Sequence, residues 1–329
     1  MKRQRGAALL AAMLTVTLVA TFAAAALWQQ WRSTEVEAAE RTRVQSAWIL
    51  TGALDWARLL LREDGRPSGP VVDHLGEPWA VPLKDARLSS FLAADSNTTA
   101  ETGPEVLEAF LSGQIIDMHS LLNINRLVDD QLKVSPKDLK NFQRLFELLG
   151  LPPSQLDTLV ENLRFAIDTS TENRSGSAAP LLPQKVGELV WLGLPVGTVA
   201  ALQPYVSVLP RLGKQTSVNL NTASPEVIYA SVEGLSMADA QRLVALRERT
   251  PFKSVAEALQ AIGFSGDMGE LPVGVASNYF EVRARLRLDQ LVVEERSLLL
   301  REGTTVTTLQ RERGIADPTA LAQAASAKR

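Results

Sequence analysis

The chain has 329 residues, with 34 Lys and Arg set against 37 Asp and Glu, a formal charge of −3, and no cysteine. The near balance of charge excludes a binder of DNA or anionic lipid acting through net attraction, and leaves open only a local basic patch. The lack of thiols excludes cysteine nucleophiles, disulfide staples and thiol redox chemistry, so stability must come from packing, for which 46 % hydrophobic residues supply one large core or two modest ones.

Lys2, Arg3 and Arg5 stand directly before Gly6, and no further charge follows until Arg32. Between them, residues 7–28 are apolar except for Thr15, Thr17 and Thr21, and as a helix they rise about 33 Å, enough to cross a bilayer core of about 30 Å. The positive-inside rule leaves residues 1–6 in the cytoplasm and exports the rest, so nearly all of the protein is extracytoplasmic. Three kinds of processing fit this block. Ala24-x-Ala26 offers a secretory cleavage site that would release a soluble chain near Leu27; the helix could stay as an uncleaved anchor; or a cut after Arg5-Gly6 would remove the leader and keep the helix, as in prepilin-like proteins.

A signal peptide has no reason to continue as helix, yet residues 31–62 contain no Pro and only Gly52. Trp31, Val36, Ala39, Trp48, Leu50, Leu54, Ala57 and Leu61 recur near helical spacing until Gly65 and Pro67 stop the run. This predicts one spine helix from Ala7 to about Arg62. Residues 73–83 read as an irregular surface segment with Pro78 and Pro82 around Trp79, and 95–104 as a polar loop. Residues 110–116 and 121–127, separated by a turn at 117–120, suggest a short hairpin or strand pair. Helical signals then run through 135–167, with Ser135 and Pro136 as N-cap and N1 and Pro152-Pro153 opening a second helix. After a polar loop at 168–184 they resume at 185–192, 195–204, 224–231, 236–249 and 254–262. Residues 279–288, 291–300 and 304–309, rich in Val, Leu, Tyr and Thr, predict an antiparallel meander, followed by a frayed tail.

The expected architecture is α+β, a pilin-like fold of a long spine helix on a small antiparallel sheet with a large all-α insertion containing helix-hairpin-helix or SAM-like units. Its parts are a leader at 1–6, a transmembrane helix at 7–28, the remaining spine and first part of the pilin-like domain at 29–127, the insertion at 128–276, the returning meander at 277–312 and a tail at 313–329.

Two short motifs echo each other, Leu122-Asn-Ile-Asn125 and Val218-Asn-Leu-Asn221. Asn caps turns and helices through its side chain, so they read as two similar strand-to-helix junctions. The second, with residues 236–249 and 251–255, also resembles the helix-hairpin-helix domain of competence DNA receptors, in which backbone amides at a Gly-rich turn hold phosphate. Here the turn reads Gly234-Leu235-Ser236 beside Glu233, one glycine short. No H-E-x-x-H, G-x-S-x-G or P-loop is present, and Asp129-Asp130 point in different directions, so no enzyme is expected. His74 and His119 lack ligand-like spacing for zinc.

Arg5-Gly6 before the apolar helix, Gly113-Gln-Ile-Ile-Asp117 followed by Asn123-Ile-Asn125, and Val218-Asn-Leu-Asn-Thr-Ala-Ser, in that order, resemble the GspK family, the large minor pseudopilin of type II secretion systems. The resemblance covers residues 1 to about 310. It implies that prepilin peptidase cuts between Gly6 and Ala7 and methylates the new N-terminus. It implies partnership with I-type and J-type minor pseudopilins at the pseudopilus tip, contact with secretin or secreted cargo, and no nucleic acid. The membrane and partner-helix residues would be Ala7, Leu10, Ala11, Leu14, Leu18, Phe22 and Trp28. Most pilin-like proteins carry Glu five residues after the cut; Ala11 stands there, as in K-type members, and a subunit with nothing ahead of it needs no such Glu. Relatives bind calcium, for which Asp168, Ser170, Glu172 and Asn173 are the candidate oxygen ligands, although the stretch lacks dense carboxylates. The rival to this reading is a membrane-tethered periplasmic helix-hairpin-helix DNA-binding protein.

Overall fold

The computed structural model describes residues 5–66, 71–88, 109–170, 179–212, 216–266, 271–288 and 291–315, with side chains from residue 8 to 314. It opens on one unbroken helix, α1 (Arg5–Asp64), about 90 Å long. Thr15, Thr17 and Thr21 return their hydroxyls to the carbonyls of Ala12, Leu14 and Leu18 at 2.8–2.9 Å, so the polar atoms in the apolar half are satisfied within the helix. Farther along, Glu37–Arg41 and Asp55–Arg58 each close at 3.2 Å on the solvated surface. Burial begins only at Ser46, and Leu50, Leu54, Ala57 and Leu61 form the stripe that packs on a sheet.

That sheet contains β1 (Leu83–Arg87), β2 (Ala109–Asp117), β7 (Tyr279–Leu288), β8 (Leu291–Glu302) and β9 (Thr305–Ile315), side by side in that order and antiparallel throughout. Alternation along β7 sends Phe280, Val282, Ala284, Leu286 and Leu288 into the core under α1. β9 continues to Ile315, beyond the segment expected at 304–309 and into the region expected as tail, because β8 offers it partners along its full length.

Two expectations are corrected. Residues 73–83 are a surface segment only in part: Leu75 and Val81 are exposed, but a 3-10 turn at Pro78–Ala80 buries Trp79 edge-on against Phe280 with centroids 5.2 Å apart, and Asp73 has no exposed surface. Trp79 can be buried because its Nε1–H donates to Glu77 at 2.7 Å. Residues 110–116 and 121–127 do not form a hairpin or strand pair. β2 pairs along its whole length with β7, Asp117 lying opposite Phe280, and a 3-10 turn at Met118–Ser120 then leads the chain out of the sheet.

Everything from Met118 to Asn278 is therefore inserted between two adjacent strands, whereas the sequence placed the insertion at 128–276. The block repeats one plan twice. Its first half runs from β3 (Leu122–Asn123) through α2 (Pro136–Leu148), α3 (Pro153–Ile167), a 3-10 segment at Val186–Leu192 and α4 (Val196–Leu202) to β4 (Val206–Ser207), which pairs in parallel with β3. Its second half runs from β5 (Val218–Asn219) through α5 (Pro225–Ser231), α6 (Met237–Arg247) and α7 (Val255–Ala261) to β6 (Val273–Gly274), again parallel to its first strand. Ser135, Ser224, Ser236 and Ser254 cap their helices through side-chain oxygens, and both halves share one core.

The packing along α1 also orients the block. Leu50 meets Leu286 and Leu288 at one end of β7, while Leu61 shares a cluster with Phe280 at the other. Because β2 hands over to the block at Asp117 and β7 receives the chain at Tyr279, the block hangs from the end of the sheet farthest from the apolar half of α1.

Candidate assembly surface and the joint behind it

Among the residues singled out from the sequence, Gly6 and Ala7 lie in the first turns of α1. Leu10, Ala11, Leu14, Leu18, Phe22 and Trp28 are all exposed, the large ones by 51–69 %, and every described side chain from Ala8 to Arg41 is in contact with solvent. Leu10, Leu14, Leu18 and Phe22 fall at four-residue steps on one face; Ala11 and Trp28 lie off that row. An apolar surface of this extent is stable only in lipid or against other helices. Farther along α1, beyond the charged stretch 32–43, lies a separate apolar groove of about 860 Å³ where the helix leaves the sheet edge, lined by Trp48, Gly52 and Trp56 on one wall and by Val81, Leu83 and Leu111 on the other. Gly52 has open space where a side chain would be. The exposed i, i+4 series Val44, Trp48 and Trp56 was legible in the sequence; the facing wall was not, because it is built from strands far along the chain.

Behind this surface a buried polar joint ties the block to the sheet. Asp117 ends β2, and its Oδ2 accepts from the hydroxyls of Thr222 at 2.5 Å and Ser277 at 2.6 Å and from Asn219 Nδ2 at 3.1 Å, while Oδ1 accepts from the His119 amide at 2.8 Å. Asn219 also donates to the Asp73 carbonyl at 3.0 Å and to Ser277 Oγ at 2.9 Å, and its Oδ1 accepts from the Asn221 amide. Asp73 accepts from the Ser277 amide at 2.7 Å and pairs with Arg301, which also binds Asp64 at the end of α1. His119 Nε2 accepts from the Asn278 amide at 3.3 Å, so Nδ1 carries the proton it gives to the Ser217 carbonyl at 2.8 Å; the ring is neutral, and burial lowers its pKa. Burial likewise raises Asp73 to about 6 against the pull of Arg301, and Glu77 to about 7 against hydrogen bonds from the His74 amide and Trp79.

The two Asn motifs serve as junctions. In the first, Asn123 Oδ1 accepts from the Asn125 and Leu209 amides at 3.1 Å, and Asn125 Nδ2 donates to the Leu209 carbonyl at 2.8 Å. In the second, Asn221 exchanges two bonds of 2.9 Å with the backbone of Phe252. Both therefore close their halves of the block from within. The α5–α6 turn at Gly234 has the left-handed φ of +82°, but it faces α2: Arg144 donates to the carbonyls of Val232 and Leu235 and stacks 4.4 Å from the Tyr229 ring, and Lys140 pairs with Glu233 at 3.2 Å. A phosphate would have to displace that contact.

Of the calcium ligands expected at 168–173, only Asp168 and Ser170 fall among the described residues. Asp168 accepts from the Ser170 amide at 2.9 Å, and Glu172 and Asn173 lie outside the described residues. The described carboxylates that do converge are Asp64, Asp73 and Glu77, with oxygens within 4.8 Å of one another, but Arg301 holds two of the three. Its guanidinium already supplies the positive charge a cation would bring, so this cluster does not fit a metal. Asp73, Ser277 and Arg301 escaped the sequence reading. The signal was the odd-numbered row Val293, Glu295, Ser297, Leu299, Arg301, which faces α1 and carries polar and charged residues where apolar ones are expected.

Two family models, both described as type II secretion system (T2SS), protein K, match residues 120–211 and 218–283, one on each half of the block. The chain is 29 % identical to the type II secretion system protein K of Pseudomonas aeruginosa over 94 % of its own length and 89 % of the relative's, and 27 % identical to that of Klebsiella pneumoniae over 95 % and 97 %. Its fold superposes with a TM-score of 0.64, at 19 % identity, on a chain from the GspK-GspI-GspJ complex of enterotoxigenic Escherichia coli, covering 84 % of this chain and 99 % of that one. With both halves of the block matched in order and relatives aligned along nearly their whole length, what this chain is similar to along nearly all of its length is type II secretion system protein K.

Proposed function

We propose that this minor pseudopilin is cut by prepilin peptidase between Gly6 and Ala7, anchored in the inner membrane with its N-terminus toward the cytoplasm, and carried at the tip of the pseudopilus, where it starts assembly and presents the helical block to secretin or cargo. Its role is structural rather than catalytic. The observation that carries the reading is the position of the block, which hangs from the end of the sheet opposite the apolar helix, where another subunit would have to stack. The apolar half of α1 and the separate groove farther along it are the surfaces for partner helices, and likeness to a chain solved with GspI and GspJ supports I-type and J-type pseudopilins as those partners. Ala11, in place of an ionised residue inside the membrane, fits a subunit with no neighbour ahead.

The chain has no cysteine, so Lys253→Cys on the exposed loop before α7 gives a unique thiol for gold labelling. One label at the end of each filament is expected. Labels spaced along the filaments would contradict the tip assignment.

A further inference from the structure

The face of the sheet turned away from α1 carries a block of arginines. Since the even residues of β7 pack under α1, Glu281, Arg283, Arg285 and Arg287 point the other way. The register sets their neighbours: Arg287 lies opposite Phe110, which lies opposite Arg87; Arg285 lies between Ser112 and Glu294; Arg283 lies between Gln114 and Arg296. All five arginines are exposed. Three glutamates share the grid: Glu281 against Arg283, Glu294 4.0 Å from Arg285, and Glu312 held by Lys185 of the block at 2.8 Å. In a chain that is acidic overall, and more so without its leader, this is a local excess of positive charge.

Its geometry suits carboxylates. Arg287 and Arg87 both lie over Phe110, 4.2 and 5.7 Å from the ring centroid. The ring gathers two guanidinium groups at one spot on the sheet, and a guanidinium is the side chain whose planar N–H fork takes a carboxylate bidentately. The patch is also bounded, because Met118 and Leu209 of the block cover Leu298, Leu300 and Tyr279 on the far half of the same face. What remains is a basic notch beneath the block.

Lipid is out of reach. The row nearest the membrane, Arg87, Phe110 and Arg287, is level with Leu50, which packs on Leu286 and Leu288. Leu50 lies about 33 Å along α1 beyond Trp28, several times the screening length of about 8 Å. A polyphosphate presents one sign only and meets three glutamates in the grid, whereas a protein surface matches both signs.

We propose that this arginine face docks an acidic protein surface, so that a partner meets the subunit beside the spine and below the block. The inference rests on the proposed assembly role only for where the partner is sought. The test uses the full chain with Arg285→Lys and Arg287→Lys, kept in native membranes and treated with a carbodiimide, which joins an amine to a carboxylate in direct contact. Adducts between the introduced amines and Asp or Glu of another protein are expected, with a yield at least about tenfold lower in roughly 0.5 M salt or when Arg283→Glu and Arg296→Glu are added. Adducts confined to Glu281 and Glu294 of the same chain, or none, would overturn the proposal, as they would if the occupant were lipid or nucleic acid. End-labelled filaments combined with own-chain adducts would sink this proposal alone; adducts with another protein in a chain absent from filament ends would sink the tip assignment alone.

Discussion

Four hydrogen-bond donors converge on Asp117, and all four come from the inserted block: the hydroxyls of Thr222 and Ser277, the side-chain amide of Asn219 and the His119 backbone amide. Asp117→Ala strands them in the protein interior, where an unmade bond costs more than a made one contributes; destabilisation of about 3 kcal/mol is expected, against about 1 kcal/mol for Thr222→Val, both read from denaturation midpoints. Equal losses would mean that the carboxylate is not the centre of the joint. Glu77 gives the joint a pH dependence. Its folded pKa, about 7, lies above its ordinary value, as does that of Asp73 at about 6, so their stabilising contribution is complete below about pH 4 and is lost as pH rises through 6 to 7. His119 has the opposite sign, contributing above its ordinary value and losing that contribution on acidification. Glu77→Gln keeps an acceptor for Trp79 and isolates one member; relative to the parent it should gain about 2 kcal/mol between pH 5 and pH 8. A difference that does not change with pH would contradict this account. The sequence displayed Asp117, Asn219 and Asn123 as motif residues without their roles, since the partners that give them meaning lie 58 to 160 positions away.

At the scale of elements, α1 ends where Gly65 meets the β8–β9 turn. A Cβ there would collide with the backbone of Gly303, itself held at φ +58°. Gly65→Ala should therefore cost about 2 kcal/mol or more, whereas Gly52→Ala, facing open space, should stabilise slightly through helix propensity. Thermal midpoints that move in the same direction for both would refute the close approach. Gly65 was readable as a helix stop, and the spine and the meander were readable too, because period 3.6 and period 2 are local signals. The pairing of β2 was not. Strand partners are chosen by non-local burial, and the nine-residue register with β7 lies across an insertion of 161 residues from Met118 to Asn278. Trp79 was misplaced for a similar reason: prolines on either side signal a loop, but the Phe280 edge that buries it comes from β7.

Across the whole molecule, one boundary organises the rest. The chain is unpacked below about residue 45, apolar from residue 7 to 28 and charged from 32 to 43, compact above that, and carries its largest core farthest from the apolar helix. On the proposed processing the cut follows Gly6: Gly6→Leu should block it and accumulate precursor, and normal mature protein from that variant would refute the scheme. The most direct measurement is the intact mass and N-terminal peptide of the protein extracted from its native membrane. A chain beginning at N-methylated Ala7 is predicted; a chain beginning at Met1, or near Leu27, would contradict the pseudopilin account.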